Sequence, residues 1–518
     1  MHCENPRPLA ENGGPTGGRV LTLREGTGAR GHWREVGAWG LLLAGALALR
    51  LWGLTDESLW YDEAWSVAIA RESLGWISVL RVPGLPVPLP YTGSGGGLLY
   101  HLALHFWLLL GEGVFAARFL SVLLGCAGVA LTTLLGRDLF GARAGRMAGV
   151  LMAFSPLQVW YSQEARMYAL FTFLMLAAAW GLWRAFQTGG KGAWAVMAAS
   201  LILGTYTHSF GWFAIAAANL CWLWRRLIGR RDGPAFRTWA GAQAAVVALS
   251  LPGLAGFLGQ ASMGWWGWIG RSYGAPGWRD LASALAAFLA GPVNPFVGRV
   301  AQGYMLAALA VGVGLACLGC LWAVRQGARE GAALAAWMAG VPVGLAFLVA
   351  QWRPLFLLRY LVAFQPFFLL LAAAGVVGLR RRGWQVLSGL LVGACFLPGL
   401  WGMAAWPQKE DWRGVAALLE AEGRAGDQIV LVDEDIRAPL NYYYRGGLPQ
   451  QGVSRFQTDP DELAAWVEGL VGSADRAWLV MSHHDTDALE RAFVGSAHWV
   501  EDLRADFLGV KVRRYRQR

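Results

Sequence analysis

The sequence predicts a mainly α protein: a polytopic membrane helical bundle of about eleven spans, followed by a small C-terminal α/β domain outside the cytoplasm. Three observations predict it. Of the 518 residues 56% are hydrophobic and only 15% charged, and the mean hydropathy is +0.39, which is too apolar for an ordinary soluble domain. Apolar runs of about 20 residues, the length that crosses hydrocarbon, recur along the chain. After Pro407 the character changes, and 19 of the 34 acidic residues lie in this last fifth.

Residues 1–36 are rich in Gly, Arg and Pro and lack the apolar core and small-residue cleavage site of a signal peptide, so a disordered cytoplasmic tail is expected there. Spans are expected near 37–54, 114–136, 145–161, 168–187, 193–209, 210–228, 238–258, 301–324, 331–350, 356–379 and 384–404. The apolar stretch 98–110 is short and bounded by Gly97 and Gly111, and reads as an interfacial helix. Orientation follows the Lys/Arg bias of short loops. With the amino terminus inside, the cytoplasmic side receives Arg19, Arg24, Arg30 and Arg34, then Arg137, Arg143 and Arg146, Arg184 and Lys191, Arg225, Arg226, Arg230, Arg231 and Arg237, Arg325 and Arg329, and Arg380, Arg381 and Arg382. Counting 98–110 as a span would throw the Arg137–Arg146 group to the other side. Residues 55–113, 259–300 and 405–518 then face the exterior of a plasma (inner) membrane.

In the last of these segments, 428–432 and 477–481 read as buried strands, and 412–422, 460–471 and 486–494 carry helical periodicity. They make a small α/β domain at 405–518, distinct from the transmembrane domain at 37–404. Asp433-Glu434-Asp435 and His483-His484-Asp485 fall at strand ends, where solvated turns are the ordinary reading, and no metal site is assigned to them. The formal net charge is +10, but its basic residues are spread between spans as topology determinants, which argues against nucleic acid. The six cysteines suggest neither a disulfide framework nor metal-ligand spacing; Cys317 and Cys320, one helical turn apart, read as buried small residues. The 29 tryptophans mark membrane interfaces, and Trp265-Trp266-Gly267-Trp268 reads as an anchor of the loop 259–300.

The predicted topology gathers several polar groups on the outer side. Trp60-Tyr61-Asp62-Glu63 follows the first span; Gln163, Glu164, Arg166 and Tyr168 join the third and fourth; His208 ends the fifth; Arg353, Arg359 and Tyr360 flank the tenth. Acids at the mouth of a span are costly to hold near hydrocarbon and mark a functional site. Arginines kept on the side that is otherwise poor in Lys and Arg imply an anion, because the guanidinium fork matches phosphate. A carboxylate beside such arginines suits a reaction in which a hydroxyl loses a proton to it and a lipid-borne phosphate departs against the arginines. Each residue also has a plainer reading. Asp62 suits the N-cap of an amphipathic helix near 64–80, Glu63 suits a helix's first turn, Glu164 and Arg166 suit a local ion pair, His208 suits an interfacial position, and Arg359 suits snorkelling.

The strings Ser58-Leu59-Trp60-Tyr61-Asp62-Glu63-Ala64-Trp65-Ser66 and Tyr161-Ser162-Gln163-Glu164-Ala165-Arg166-Met167-Tyr168, with Tyr206-Thr207-His208 and Arg359-Tyr360-Leu361, resemble a bacterial family of GT-C membrane glycosyltransferases. That family is related to the protein O-mannosyltransferases and the lipid A aminoarabinose transferase. The resemblance covers about 37–404, and Lys409-Glu410-Asp411-Trp412-Arg413 looks like the start of the family's variable outer domain. It implies the GT-C fold and inverting transfer of a sugar from a polyprenyl-phosphate donor to a glycan, lipid or protein acceptor at the extracytoplasmic face of the bilayer. It also implies that Asp62 and Glu63 are catalytic, Asp62 as the general base and Glu63 as its partner in the Asp-Glu motif. Glu164, Arg166, Tyr168, His208, Arg359 and Tyr360 are expected to bind the donor phosphate or substrate. No cofactor is expected; a divalent metal stays open, since the related oligosaccharyltransferases use one and the mannose and aminoarabinose enzymes are described without. The chain lacks the inserted luminal domain and His-Pro-Pro pattern of the protein O-mannosyltransferases, the nearest segment being 83–97, which leaves a protein Ser/Thr acceptor in doubt. The competing reading from another class is a transporter or flippase of a lipid-linked sugar, although such proteins bind near the bilayer midplane and these groups cluster at one edge. A membrane-anchored binding module acting through 405–518 would leave Asp62, Glu164 and Arg166 without a role.

Overall fold

A computed structural model of the chain describes residues 29–71, 97–228, 236–262, 274–293, 296–453, 459–471, 473–482 and 487–518. The chain divides into a unit of residues 1–41 and a compact unit running from Leu42 to Arg518. Helix α1 spans Ala29–Leu51 and α2 spans Tyr61–Arg71; then come α3 (Leu98–Leu108), α4 (Gly113–Phe140), α5 (Ala142–Phe154), α6 (Pro156–Ser162), α7 (Tyr168–Thr188), α8 (Lys191–Thr207), α9 (Gly211–Leu227) and α10 (Phe236–Ser262). They are followed by α11 (Trp278–Ala290), α12 (Gly298–Arg325), α13 (Arg329–Val349), α14 (Leu358–Leu361), which continues through the 3-10 turn Val362–Phe364 into α15 (Gln365–Gly378), and α16 (Arg382–Ala405). Helices occupy each of the predicted span segments. Among the described residues six are long and apolar enough to cross a membrane by length and composition: α4, α7, α12, α13, the continuous Leu358–Gly378 helix, and α16. That supports a multi-span bundle without establishing a count of eleven.

Several expectations change. Residues 29–36, assigned to the tail, are helical; the rest of that tail, residues 1–28, lies outside the described residues, as do Pro83–Pro90, the Trp265–Trp268 string and His483–Asp485. The segment 145–161 is two helices, because Ser155 leaves the helix in an extended conformation and caps α6, accepting a hydrogen bond from the Gln158 N–H, with Pro156 at the first position. Asp62 sits inside the first turn of α2 and is not its N-cap. That helix is described only to Arg71. Cys317 is exposed on α12, not buried.

The Leu358–Gly378 helix is the centre of the bundle: 89% of its apolar window is buried, against 33–39% for α4, α12, α13 and α16, whose outward leucines such as Leu306, Leu321 and Leu390 face away from protein. Its most extensive helix partner is α12. The two backbones meet at Gly319 and Gly375, where a Cβ would fall on the Leu371 carbonyl and the Leu315 carbonyl respectively, the close approach that small residues allow between membrane helices. A cluster of polar groups inside the bundle pairs internally, which offsets the cost of burying them. Gln158 Nε2 donates to Gln365 Oε1 at 2.8 Å, and Gln365 Nε2 donates to Ser155 Oγ at 2.8 Å and to the Phe288 carbonyl. Arg50, fully buried, donates to Ser162 Oγ and to the Ala46, Met152 and Ala153 carbonyls, closing the C-terminal end of α5.

After α16 come α17 (Trp412–Glu422), β1 (Asp427–Val432), α18 (Arg437–Tyr443), β2 (Gln450–Val453), α19 (Pro460–Glu468), β3 (Arg476–Ser482), α20 (Asp487–Gly495), β4 (Trp499–Phe507) and β5 (Val510–Gln517). The sheet order is β2-β1-β3-β5-β4, with β1 parallel to β2 and β3 and with β5 antiparallel to β3 and β4. Alternate residues feed two cores: Ile429, Leu431, Trp478 and Val480 pack under α17, while Val430, Leu479 and Met481 pack with α19 and α20. Reading the sequence found β1, β3 and the three long helices but not β2, β4, β5 or α18.

Candidate active site

Tyr61, Asp62 and Glu63 form the first turn of α2, where two acids complement the free N–H groups and the helix dipole. Neighbouring helical residues point about 100° apart, so the two acids enter different surroundings. Glu63 turns inward and is fully buried. Arg118, from within α4, grips it with two hydrogen bonds, Nε to Oε1 at 2.9 Å and Nη2 to Oε2 at 2.7 Å. Lys409 Nζ donates to Oε2 at 3.1 Å and the Ala165 N–H to Oε1 at 2.8 Å. Burial alone would push this carboxyl up; Arg118, Lys409 and the Ala165 amide override it and hold it at about 2. Arg118 spends its remaining hydrogens on the Leu54, Glu57 and Ser58 carbonyls, and so shapes the loop that delivers α2.

Asp62 turns the other way and keeps 22% of its side chain exposed. Its Oδ2 lies 3.4 Å from Arg359 Nη1 and 3.6 Å from Arg166 Nη2. Arg166 Nη1 also donates to the Asp62 carbonyl at 3.2 Å and to Ser66 Oγ at 3.1 Å. The turn between α6 and α7 that carries Glu164 and Arg166 is itself fixed: Ser121 Oγ donates to the Arg166 carbonyl, and Gln163 Nε2 to the Arg50 and Trp52 carbonyls. Three buried polar atoms here have no hydrogen-bond partner among the described residues: Glu164 Oε2, Arg166 Nε and the Tyr168 hydroxyl. Each such atom calls for an explanation; Thr132 Oγ1 and Ser250 Oγ, elsewhere in the bundle, are in the same state. Burial pushes the Glu164 carboxyl up to about 7; Lys409 opposes the rise and Glu63 adds to it.

An aromatic cluster adjoins the arginines. His208 stacks on Phe171 with ring centroids 5.1 Å apart, and lies 5.0 Å from Tyr360 and 6.2 Å from Tyr168. Its Nδ1 accepts the Phe210 N–H. The Arg359 guanidinium sits 5.5 Å over the Tyr360 ring.

Asp62, Arg166 and Arg359 are thus brought into contact, with Glu164, Tyr168, His208 and Tyr360 around them. Glu63 belongs to the neighbouring buried ion-pair hub, and Arg353 stays exposed. Two members of that hub were not singled out in the sequence. Arg118 lies inside an apolar span, where an isolated arginine is itself a signal; Lys409 opens the Lys409–Arg413 string, whose sequence suggests no part in the site. Among the described residues no three His, Cys, Asp or Glu side chains gather as a metal-ligand set.

Residues 98–252 match the family described as dolichyl-phosphate-mannose-protein mannosyltransferase. A comparison with curated protein sequences finds no match. Among solved structures, the chain is similar to ArnT from Cupriavidus metallidurans bound to undecaprenyl phosphate, with 13% identity, 92% of this chain and 98% of that chain covered, and a TM-score of 0.60. It is also similar to the archaeal oligosaccharyltransferase AglB from Archaeoglobus fulgidus in complex with an inhibitory peptide and a dolichol-phosphate, at 11% identity, 87% and 70% coverage and a TM-score of 0.55. A third is the arabinofuranosyltransferase AftD from Mycobacteria, at 16% identity, 92% and 40% coverage and a TM-score of 0.50. The fold is that of the GT-C glycosyltransferases, as the motifs around Asp62 and Glu164 resemble.

Proposed function

We propose that this protein is an integral membrane glycosyltransferase that moves a sugar from a polyprenyl-phosphate donor to an acceptor hydroxyl at the extracytoplasmic face, with inversion, and that Asp62 is the general base. The observation that carries the reading is the Asp62 carboxylate held between Arg166 and Arg359, beside three buried polar atoms without partners among the described residues. The undecaprenyl phosphate and dolichol-phosphate named for two structural neighbours agree with a lipid phosphate as the departing group.

In the reaction the acceptor oxygen attacks the anomeric carbon, its proton passes to Asp62, and the bond from that carbon to the phosphate oxygen breaks, releasing polyprenyl phosphate with the electron pair. Arg166 and Arg359 stabilise the charge that grows on the phosphate. The same arginines pair with Asp62. Glu164 and the Tyr168 hydroxyl offer their free valences to sugar hydroxyls, and the His208–Tyr360 cluster supplies an apolar wall beside them. Glu63, with four hydrogen bonds to its two oxygens, is an anchor for the turn and takes no proton.

The test is transfer of radiolabelled sugar from a panel of polyprenyl-phosphate sugars in purified membranes. Asp62→Asn is expected to lower transfer by roughly 100-fold or more, the scale of a lost general base, while membrane insertion and lipid-phosphate binding persist. Full activity of that variant would remove Asp62 from the base role.

A further inference from the structure

We propose that the segment 409–413, which leads from α16 into the sheet region, is part of the transfer site, and that Lys409 is a positioning residue which holds Asp62 in place through Glu63. The inference rests on the reading of Asp62 as the base.

Contacts from this region run along the whole approach to the acids. Glu57 accepts hydrogen bonds at Oε1 from the Gln408 and Lys409 N–H groups. The Arg413 N–H donates to Ser58 Oγ at 3.2 Å, and the Leu59 N–H donates to the Tyr443 hydroxyl at 2.7 Å. Glu410 Oε2 accepts the Tyr61 N–H at 3.1 Å and Trp412 Nε1 at 2.6 Å. The first of these satisfies one of the donors that a helix start leaves open. One turn on, Trp65 Nε1 donates to the Asp435 carbonyl at 2.9 Å. Lys409 itself is nearly buried, with Nζ 3.1 Å from Glu63 Oε2, 3.5 Å from the Gln163 carbonyl and 5.7 Å from the centre of the Trp160 ring.

The sequence neighbours of Asp62 are therefore both pinned by this segment, Tyr61 by Glu410 and Glu63 by Lys409. Asp62's own ion pairs are longer, at 3.4 and 3.6 Å. Its place is set by its neighbours more than by its own contacts. Lys409 also bridges Glu63 to the Gln163 carbonyl, so one ammonium ties the Asp62 turn to the turn that carries Glu164 and Arg166. A buried ammonium in that position is costly unless it is paired, and the pairing fixes the distance between the two acid-bearing turns.

The test uses the full chain in lipid nanodiscs, with Lys409→Met compared with wild type. Three readouts are taken: kcat for sugar transfer, affinity for polyprenyl phosphate alone, and amide hydrogen exchange. The expected result is a kcat lowered roughly 10- to 100-fold, the loss expected when a charge-assisted hydrogen bond that places a reacting group is removed. Lipid-phosphate affinity should stay within about threefold by the same scale. Exchange should quicken at the amides of residues 61–64 and 165 while β3 and β5 keep their protection. A kcat within twofold of wild type overturns the proposal, and so does a loss of kcat accompanied by equal loss of lipid binding and of protection throughout the sheet. Should Lys409→Met not fold, Glu410→Ala decides by the same criteria. Arg504→Gln, in the exposed Arg504–Glu501 pair on β4, is the control expected to leave all three readouts unchanged. If wild-type protein transfers no sugar from any donor, the functional reading falls, and exchange alone decides the positioning: unchanged protection at residues 61–64 in both variants overturns it.

Discussion

Asp62 and Glu63 are consecutive acids in different surroundings, and the difference follows from which face of α2 each occupies. Glu63 has traded water for Arg118, Lys409 and an amide; Glu164 is equally buried but keeps one oxygen without a partner. The two therefore couple folding to pH with opposite signs. Glu63 is held at about 2, below the ordinary 4.5, so its contribution is complete above pH 4.5 and is lost as pH falls toward 2. Glu164 is pushed up to about 7, so between pH 4.5 and 7 the native chain holds a proton that the unfolded chain has released, and stability declines as pH rises through that window. Glu164→Gln removes this term. Unfolding in detergent across that window should show wild type losing on the order of 1–3 kcal/mol relative to the variant, and parallel curves for the two would refute the raised carboxyl. The attraction between Asp62 and two arginines was legible in the sequence because all three sit at span ends on one predicted side. The Arg118 grip was not, since only the fold shows that an arginine in α4 faces α2.

Helical segments were legible where they rest on an apolar run, but helix starts were not: the cap at Ser155 with Pro156 after it splits a run that reads as one span, and Asp62, which suits an N-cap, lies inside its helix. The strands β4 and β5 were not legible either. Their alternation is masked by charged residues whose stems pack and whose heads pair, as in Arg513, nearly buried yet bonded to Glu490 and Asp506. Packing of whole helices was equally hidden, because a glycine in an apolar run does not announce its partner. Gly375 in α15 and Gly314 in α12 look alike in sequence, but a Cβ at Gly375 would meet the Leu315 carbonyl while one at Gly314 meets nothing within 4 Å. Since α14 carries Arg359 and continues into α15, displacing α15 would also move an arginine that pairs with Asp62. Gly375→Leu is expected to cost about 1–3 kcal/mol through overpacking and to lower the melting temperature in detergent by about 2 °C or more. Gly314→Leu should be neutral or slightly stabilising by helix propensity. Equal effects of the two would contradict the close α12–α15 crossing.

The sheet region after Pro407 belongs to the same compact unit as the helices from Leu42 onward, and its Lys409, Glu410, Arg413, Tyr443 and Asp435 reach the approach to Asp62. It therefore shares a side of the membrane with the candidate site, whichever side that is. From the Lys/Arg bias the outer one is expected: Arg380, Arg381 and Arg382 cluster at the start of α16, and the sheet region lies beyond its other end. Single cysteines placed in a background lacking the native six test this directly. Asp461→Cys, exposed in the first turn of α19, and Arg381→Cys, exposed just before α16, sit on opposite sides of that final helix. A membrane-impermeant maleimide is expected to label Asp461→Cys in spheroplasts and Arg381→Cys only after the membrane is opened. The reverse pattern would place Asp62 and the sheet region in the cytoplasm. A donor presented at the outer face could not then reach the base, so this one labelling experiment constrains the orientation and the proposed reaction together.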